Sequence, residues 1–110
     1  MTVAVESSGT QTAVIGTEHE LAAPTSANTR QFVVDLSNMA AGDTLELRIK
    51  RKILTGGVIR VLYYQRYLNA QPTDDLIATS IPVAGPFGTT FSLKQTAGTG
   101  RDFAWSVETL

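Results

Sequence analysis

Hydrophobic and polar residues alternate along much of this chain with a period of two, the spacing of a half-buried β-strand. The alternation is clearest after residue 44, where four aliphatic side chains fall on one face of an extended strand: Leu45, Leu47, Ile49 and Ile53. Charged side chains fall between them: Glu46, Arg48, Lys50 and Lys52. At most one or two helical turns fit within residues 37–43. The pattern therefore predicts an all-β chain.

Turn residues divide the chain into short strands. We predict an edge strand over residues 12–21, a strand over 30–36 and another over 76–83, which Pro82 confines to an edge or ends. A last hairpin should pair residues 89–95 with 103–109 and turn Phe91, Leu93, Phe103, Trp105 and Val107 inward. Residues 1–11 carry too little apolar material for an element, so we predict a flexible N-terminal arm. Residues 12–110 then form a single small antiparallel β-sandwich or barrel, jelly-roll or Ig-like.

The hairpin that follows Leu45 has a register that can be argued from cross-strand chemistry. A three-residue loop of Thr55, Gly56 and Gly57 pairs Leu54 with Val58. This register sets Ile53 against Ile59, Ile49 against Tyr63 and Leu45 against Tyr67 on the apolar face. On the polar face it sets Glu46 against Arg66, Arg48 against Tyr64, Lys50 against Leu62 and Lys52 against Arg60. A two-residue loop would place Ile53 opposite Arg60, which disfavours it.

Charge is scarce and unevenly spread. Charged residues make up 17% of the chain, compared with roughly 25% in an average domain. Residues 48–66 hold six bases and no acid, whereas the remainder holds three bases and ten acids, a net charge of −7. The overall net charge of −1 disfavours a surface built wholly for nucleic acid. This separation of charge suits head-to-tail packing of like copies or docking on an acidic surface.

The sequence offers no arrangement of residues typical of catalysis or metal binding. His19 is the only histidine, and its neighbours Glu18 and Glu20 alternate away from it in a strand. The absence of cysteine excludes disulfides and thiolate metal sites. No apolar run reaches the roughly 18 residues of a membrane span, and residues 1–12 lack the features of a signal peptide. We therefore expect a soluble protein that is not an enzyme and has no cofactor, metal or membrane partner.

The basic hairpin is the strongest candidate site. Its candidate protein-interface residues are Arg48, Lys50, Lys52, Arg60, Leu62, Tyr64 and Arg66. Bases beside an exposed tyrosine are typical of single-strand nucleic-acid surfaces. However, Arg48 over Tyr64 would form a cation–π pair, and Glu46 would form an ion pair with Arg66. Many of the charged side chains on this face would then already be paired with each other. An exposed Leu62 favours contact with protein, so we rank a protein interface first, a solvated strand second and nucleic acid third.

Two segments, "LSNMAAGDTLELRIKRKILTGG" (residues 36–57) and "LKQTAGTGRDFAWSV" (93–107), resemble the small virion proteins encoded among the head and tail genes of tailed bacteriophages. The resemblance implies a non-enzymatic β-sandwich that binds the capsid exterior as a decoration (cement) protein or takes another auxiliary place in the particle. It carries no functional residue over, because the matching motifs are turns and strands.

We therefore expect a capsid decoration protein that binds the major capsid protein in many copies and self-associates as a trimer or other homo-oligomer. It would lie on the capsid surface of the virion, after a period in the host cytoplasm during assembly. One alternative is another head–tail or tail accessory protein, including a carbohydrate-binding one with Trp105 or the tyrosines exposed. The other is a single-stranded nucleic-acid-binding module that uses the hairpin of residues 48–66.

Overall fold

The computed structural model of the chain describes residues 3–110, which form nine β-strands and no helix. The strands are β1 (Ala4–Thr12), β2 (Glu18–Ala22), β3 (Thr29–Asp35), β4 (Thr44–Arg51), β5 (Arg60–Leu68), β6 (Ile77–Thr79), β7 (Val83–Ala84), β8 (Thr89–Ala97) and β9 (Asp102–Thr109). Sheet A has the order β1-β9-β3-β6, with β7 also paired to β3, and sheet B has the order β2-β8-β4-β5.

The strand pairs are nested. Strand β1 pairs with β9, β2 with β8, β3 with β6 and β7, and β4 with β5, all antiparallel. Successive nested pairs fall alternately in sheet A and sheet B. A long hairpin rolled up in this way is a jelly roll. The predicted small antiparallel β-sandwich is confirmed, and of the arrangements that we considered the jelly roll is the one adopted.

The core lies between the two sheets. Alternate side chains of the central strands face inward and are fully buried, among them Phe32, Leu47, Phe91, Phe103 and Val107. The rings of Phe32 and Phe91 meet edge to face across the two sheets, with their centroids 5.6 Å apart. These inward positions are the ones that the alternation predicts, because each strand shows one face to the core and one to solvent.

The predicted N-terminal arm is wrong over residues 4–11. These residues belong to β1, which pairs with β9 from Ala4–Thr109 to Thr12–Asp102. The strand has polar side chains and buries none of them fully, so hydrophobic patterning could not reveal it. Its ladder depends on backbone hydrogen bonds, and the indole of Trp105 lies beside Gly9, its cross-strand partner. Met1 and Thr2 lie outside the described residues.

The predicted final hairpin is also wrong. Strands β8 and β9 follow one another in the sequence but lie in different sheets, and residues 98–101 connect the sheets. Trp105 consequently pairs with Gly9 and Val34 rather than lying opposite Leu93, and it is half-buried against the core. Short polar loops are compatible with either connection, which is why the sequence alone did not distinguish them.

Two edge strands differ in extent from the prediction. The predicted strand over residues 12–21 begins only at Glu18, because residues 13–17 turn the chain from sheet A to sheet B around Gly16, whose φ is +83°. The predicted strand over 76–83 divides into β6 and β7, and residues 80–82, which include Pro82, lie between them. Its buried residues are Ala78, Ser80 and Val83, and Ile77 and Ile81 are exposed.

Asp43 holds together one end of the sandwich. Its buried carboxylate accepts hydrogen bonds from Ala40 N (2.9 Å), Thr99 N (3.2 Å) and Arg101 Nε (2.8 Å). Burial opposes the ionisation of Asp43, but these three hydrogen bonds outweigh it and lower its pKa. The carboxylate lies so close to Gly98, whose φ is +90°, that a side chain there would collide with it. Asp43 therefore fixes the crossover between the sheets.

Arg30 is a fully buried cation on the inward face of β3. Its guanidinium bonds both carboxylate oxygens of Glu6, and it donates to Ser26 Oγ (2.6 Å) and Asn28 O (3.1 Å). Glu6 reaches it because β1 has a bulge between Val5 and Ser7. The hydrogen bond from Arg30 is the main reason that the pKa of Glu6 is lowered. The pair ties β1 to the core of sheet A.

Candidate interaction surface

The two sheets carry opposite charge. The strands of sheet A contain four acids and one base, the buried Arg30, which gives a net charge of −3. The strands of sheet B contain six bases and three acids, a net charge of +3. The uneven charge along the sequence thus becomes a difference in net charge between the two sheets of one sandwich. We call the outward side of sheet B the basic face.

A carboxylate from β2 neutralises part of the basic face. Glu18 accepts hydrogen bonds from Lys50 Nζ (2.5 Å) and Ser92 Oγ (3.0 Å), and Arg48 Nη1 lies 3.8 Å from it. The hydrogen bond from Lys50 is the largest cause of the lowered pKa of Glu18. Strand β8 separates β2 from β4, so this contact spans three strands. Arg48 and Lys50 are therefore half-buried and already paired.

A second carboxylate, Glu46, engages the centre of the same face. It accepts hydrogen bonds from Arg48 Nη2 (2.8 Å) and Tyr64 OH (2.9 Å), and the Arg48 guanidinium lies 5.0 Å from the centroid of the Tyr64 ring. Burial opposes the ionisation of Glu46, but the bonds from Tyr64 and Arg48 outweigh it and lower its pKa. The predicted cation–π pair is confirmed. Glu46 and Arg66 are cross-strand partners, as predicted, but the predicted ion pair between them does not form. Glu46 bonds Arg48 and Tyr64 instead.

The register of β4 and β5 differs from the prediction near the hairpin tip and moves Arg60 away from the other predicted interface residues. A bulge in β5 after Ile49–Tyr63 pairs Lys50 with Val61 and Arg51 with Arg60, so the predicted pairs Lys50–Leu62 and Lys52–Arg60 are wrong. Because paired residues share a face, Arg60 lies on the side of Arg51 and away from the basic face. The pairs of Leu45 with Tyr67 and of Ile49 with Tyr63 are confirmed.

Strand β5 is one of the two edges of sheet B, and β2 is the other. Leu62, Tyr64 and Arg66 are exposed along β5, and β4 is its partner strand in the sheet. By contrast, Arg48, Lys50 and Lys52 are half-buried. Of the seven predicted interface residues, the edge strand therefore presents an aromatic, an aliphatic and a cationic side chain together, a composition common in the centres of protein interfaces.

The loop between β4 and β5, residues 52–59, forms a hairpin tip with exposed aliphatic side chains. Ile53 is 65% exposed, and Leu54 and Val58 are each 67% exposed. Strand β4 ends at Arg51 and the tip is a turn closed by Gly57 N to Leu54 O (3.0 Å), so the predicted pairs Ile53–Ile59 and Leu54–Val58 are wrong. Several large aliphatic side chains exposed on one loop are typical of a contact surface.

The histidine has a structural role. His19 Nε2 accepts a hydrogen bond from Val14 N (3.1 Å), and its Nδ1 faces the Gln11 side-chain amide, so the ring secures the turn between β1 and β2. Within residues 3–110 no three His, Asp or Glu side chains are grouped to hold a metal ion. Over the same residues no helix is long and apolar enough to cross a membrane.

No protein-family model, curated protein or solved structure matches the chain. The resemblance to small virion proteins of tailed bacteriophages therefore stays a prediction. Its two segments, residues 36–57 and 93–107, meet at Asp43, which bonds Thr99 and Arg101. This contact stabilises the crossover between the sheets.

Sequence reasoning missed two parts of this surface. Glu18 could not be assigned to the basic face, because its position there depends on β8 lying between β2 and β4. The alternation along β4 predicts strand pairing beyond Arg51, whereas the strand ends there and the tip is exposed. One signal was present: "ILTGGVI" places four aliphatic residues around two glycines, more than a two-stranded tip can bury.

Proposed function

We propose that this protein is a non-enzymatic structural component of a tailed-bacteriophage virion and decorates the capsid by binding the major capsid protein in many copies. The observation that supports this most is the exposed edge strand β5, which presents Leu62, Tyr64 and Arg66 on a rigid sandwich. Jelly rolls occur in viral capsid domains and also in lectins and cupins. Because one fold hosts many functions, the proposal depends on the surface more than on the fold.

Binding would combine an apolar centre with a charged rim. Leu62 and Tyr64 would bury apolar area against the capsid protein, while Arg66 would pair with a carboxylate of that partner. Arg48 and Glu46 hold Tyr64 by a cation–π contact and a hydrogen bond, which reduces the conformational entropy lost on binding. Each contact is small, and many copies on one shell would supply the avidity.

The presence of the protein in particles is the first test. Mass spectrometry of purified virions assembled from the genome that encodes this chain should detect it at a stoichiometry comparable with that of the major capsid protein. Absence from purified particles, with the protein present in the infected cell, would contradict the proposal.

Cosedimentation with undecorated capsids tests the surface. The double substitution Tyr64→Ala and Arg66→Ala should abolish binding, whereas Thr10→Ala, at an exposed position on β1 of sheet A, should leave it unchanged. Equal binding of both variants would exclude β5 as the capsid-binding edge.

A single-stranded nucleic acid is the second candidate partner, favoured by the six bases in the strands of sheet B. Against it, Glu18 and Glu46 occupy Arg48 and Lys50, so a phosphate would have to displace a carboxylate from each. Binding to an oligonucleotide should be weak and lost steeply with salt. Tight binding at physiological salt would favour this candidate over capsid decoration.

A further inference from the structure

A groove crosses the outward side of sheet A, on the far side of the sandwich from the basic face. It has a volume of about 250 Å³ and is lined by Val33, Asp35, Ile77, Ala104, Trp105 and Ser106. Ile77 is 62% exposed although it is a large aliphatic residue, so the groove has an apolar side open to solvent. We call this site the acidic groove, because Asp35 lines it.

The charge around the acidic groove is negative. Asp35 is exposed and accepts a hydrogen bond from Ser37 N (2.9 Å), and Asp102 and Glu108 lie on the same outward side of β9. Among the described strands of sheet A the sole base is Arg30, which faces inward and pairs with Glu6. No cation from these strands therefore opposes the acids on this surface.

The hairpin tip has the complementary properties. Its exposed side chains Ile53, Leu54 and Val58 are apolar and of a size that a shallow groove can hold. Lys52 and Arg60 flank them, and residues 47–73 contain no acid. The hairpin tip is thus apolar with basic residues around it, and the acidic groove has an apolar side with acidic residues around it.

We propose that the hairpin tip of one copy docks in the acidic groove of a second copy, so that the protein assembles head to tail. Leu54 and its aliphatic neighbours would cover Ile77 and Val33, and Arg60 would approach Asp35 of the next copy. Such an interface joins two different surfaces, so each copy keeps one tip and one groove available and the association can propagate or close into a ring. The proposal stands independently of what the protein assembles on.

The size of the groove sets the expected strength. A groove of about 250 Å³ holds only a few side chains, so the pairwise contact belongs to the small and transient class of interfaces. Isolated copies should then associate in a concentration-dependent manner, and association should strengthen where a scaffold holds many copies close together.

Sedimentation velocity of the full chain over a range of concentrations tests the proposal. Leu54→Asp in the tip and Ile77→Asp in the groove should each weaken self-association by roughly ten- to hundredfold, since each places a charge where an aliphatic side chain would be buried. Val14→Asp changes an aliphatic residue of similar exposure in the β1–β2 turn and should have no effect. Circular dichroism of each variant verifies that it is folded.

Mixing the two variants separates this proposal from its competitors. The Ile77→Asp copy keeps its tip and the Leu54→Asp copy keeps its groove, so an equimolar mixture should form heterodimers although each alone stays monomeric. If Leu54→Asp abolishes association and Ile77→Asp does not, two tips pack on each other and the groove is not the acceptor. A wild-type chain that remains monomeric at every concentration would also overturn the proposal.

Discussion

Sheets A and B use their charged residues in opposite ways. In sheet A the one cation, Arg30, is buried inside the sandwich, where it bonds Glu6 of the edge strand. In sheet B, Arg48 and Lys50 lie on the outer side, where Glu18 and Glu46 hold them at a surface reached by solvent. An internal pair stabilises a strand that has few apolar contacts, whereas an external network shapes a surface. The comparison predicts very different consequences when each is broken.

Glu6→Gln should have the largest effect, because it leaves the Arg30 guanidinium buried without its counter-charge. Breaking one side of a buried pair typically costs about 3–5 kcal/mol. The side chain of Glu6 is 25% exposed and water can partly replace it, so we expect about 2–4 kcal/mol. Urea unfolding measures this loss. The double substitution Glu6→Leu with Arg30→Met should recover most of it, and equal losses in both variants would refute the role of the ion pair.

Asp43→Asn tests the link between the sheets and should cost about 1–3 kcal/mol of folding stability, because an amide nitrogen cannot accept a hydrogen bond from Ala40 N or Arg101.

The lowered pKa of Asp43 also sets the direction in which folding stability changes with pH. Its contribution to stability is fully present above the unfolded pKa of about 4 and is lost as the pH falls through the lower folded value. Urea unfolding between neutral and acidic pH should show a shallower loss for Asp43→Asn than for wild type; parallel curves would show that Asp43 does not contribute.

Glu18→Gln should cost less than about 1 kcal/mol, since its partners Lys50 and Arg48 remain partly solvated. The same urea titration as for Glu6→Gln measures it. A loss as large as that of Glu6→Gln would mean that the outer network of sheet B stabilises the fold as the inner pair of sheet A does, and the contrast between the sheets would fail.

Leu54→Ser should have the smallest effect on folding, within about 0.5 kcal/mol, because the side chain is exposed on the hairpin tip. Thermal unfolding at low concentration, where the chain is monomeric, measures this value. A strongly lowered melting temperature would show that the tip packs on its own sandwich and is not available to a partner.

The sequence predicts the β-sandwich and much of the inner face, because burial in a strand imposes a period of two that Phe32, Leu47 and Phe91 follow. It cannot predict the sheet to which a strand belongs, and for that reason β8 and β9 were paired wrongly. The strand over residues 4–12 was missed because its ladder depends on backbone hydrogen bonds and on Arg30, a long-range partner. Of the candidate surface, the Arg48–Tyr64 contact was predictable from register, whereas the bulge that moves Arg60 was not.

The central claim is that the hairpin tip and the acidic groove are complementary, and paired charge reversal tests it most directly. Arg60→Glu beside the tip and Asp35→Lys in the acidic groove should each weaken self-association in sedimentation velocity at low salt. Mixed at equal concentration, the two variants still contain one wild-type tip and one wild-type groove, so they should form heterodimers; a chain that carries both substitutions should regain self-association. If the doubly substituted chain stays as weak as the single variants, Arg60 and Asp35 do not meet and the account of a complementary tip and groove is wrong.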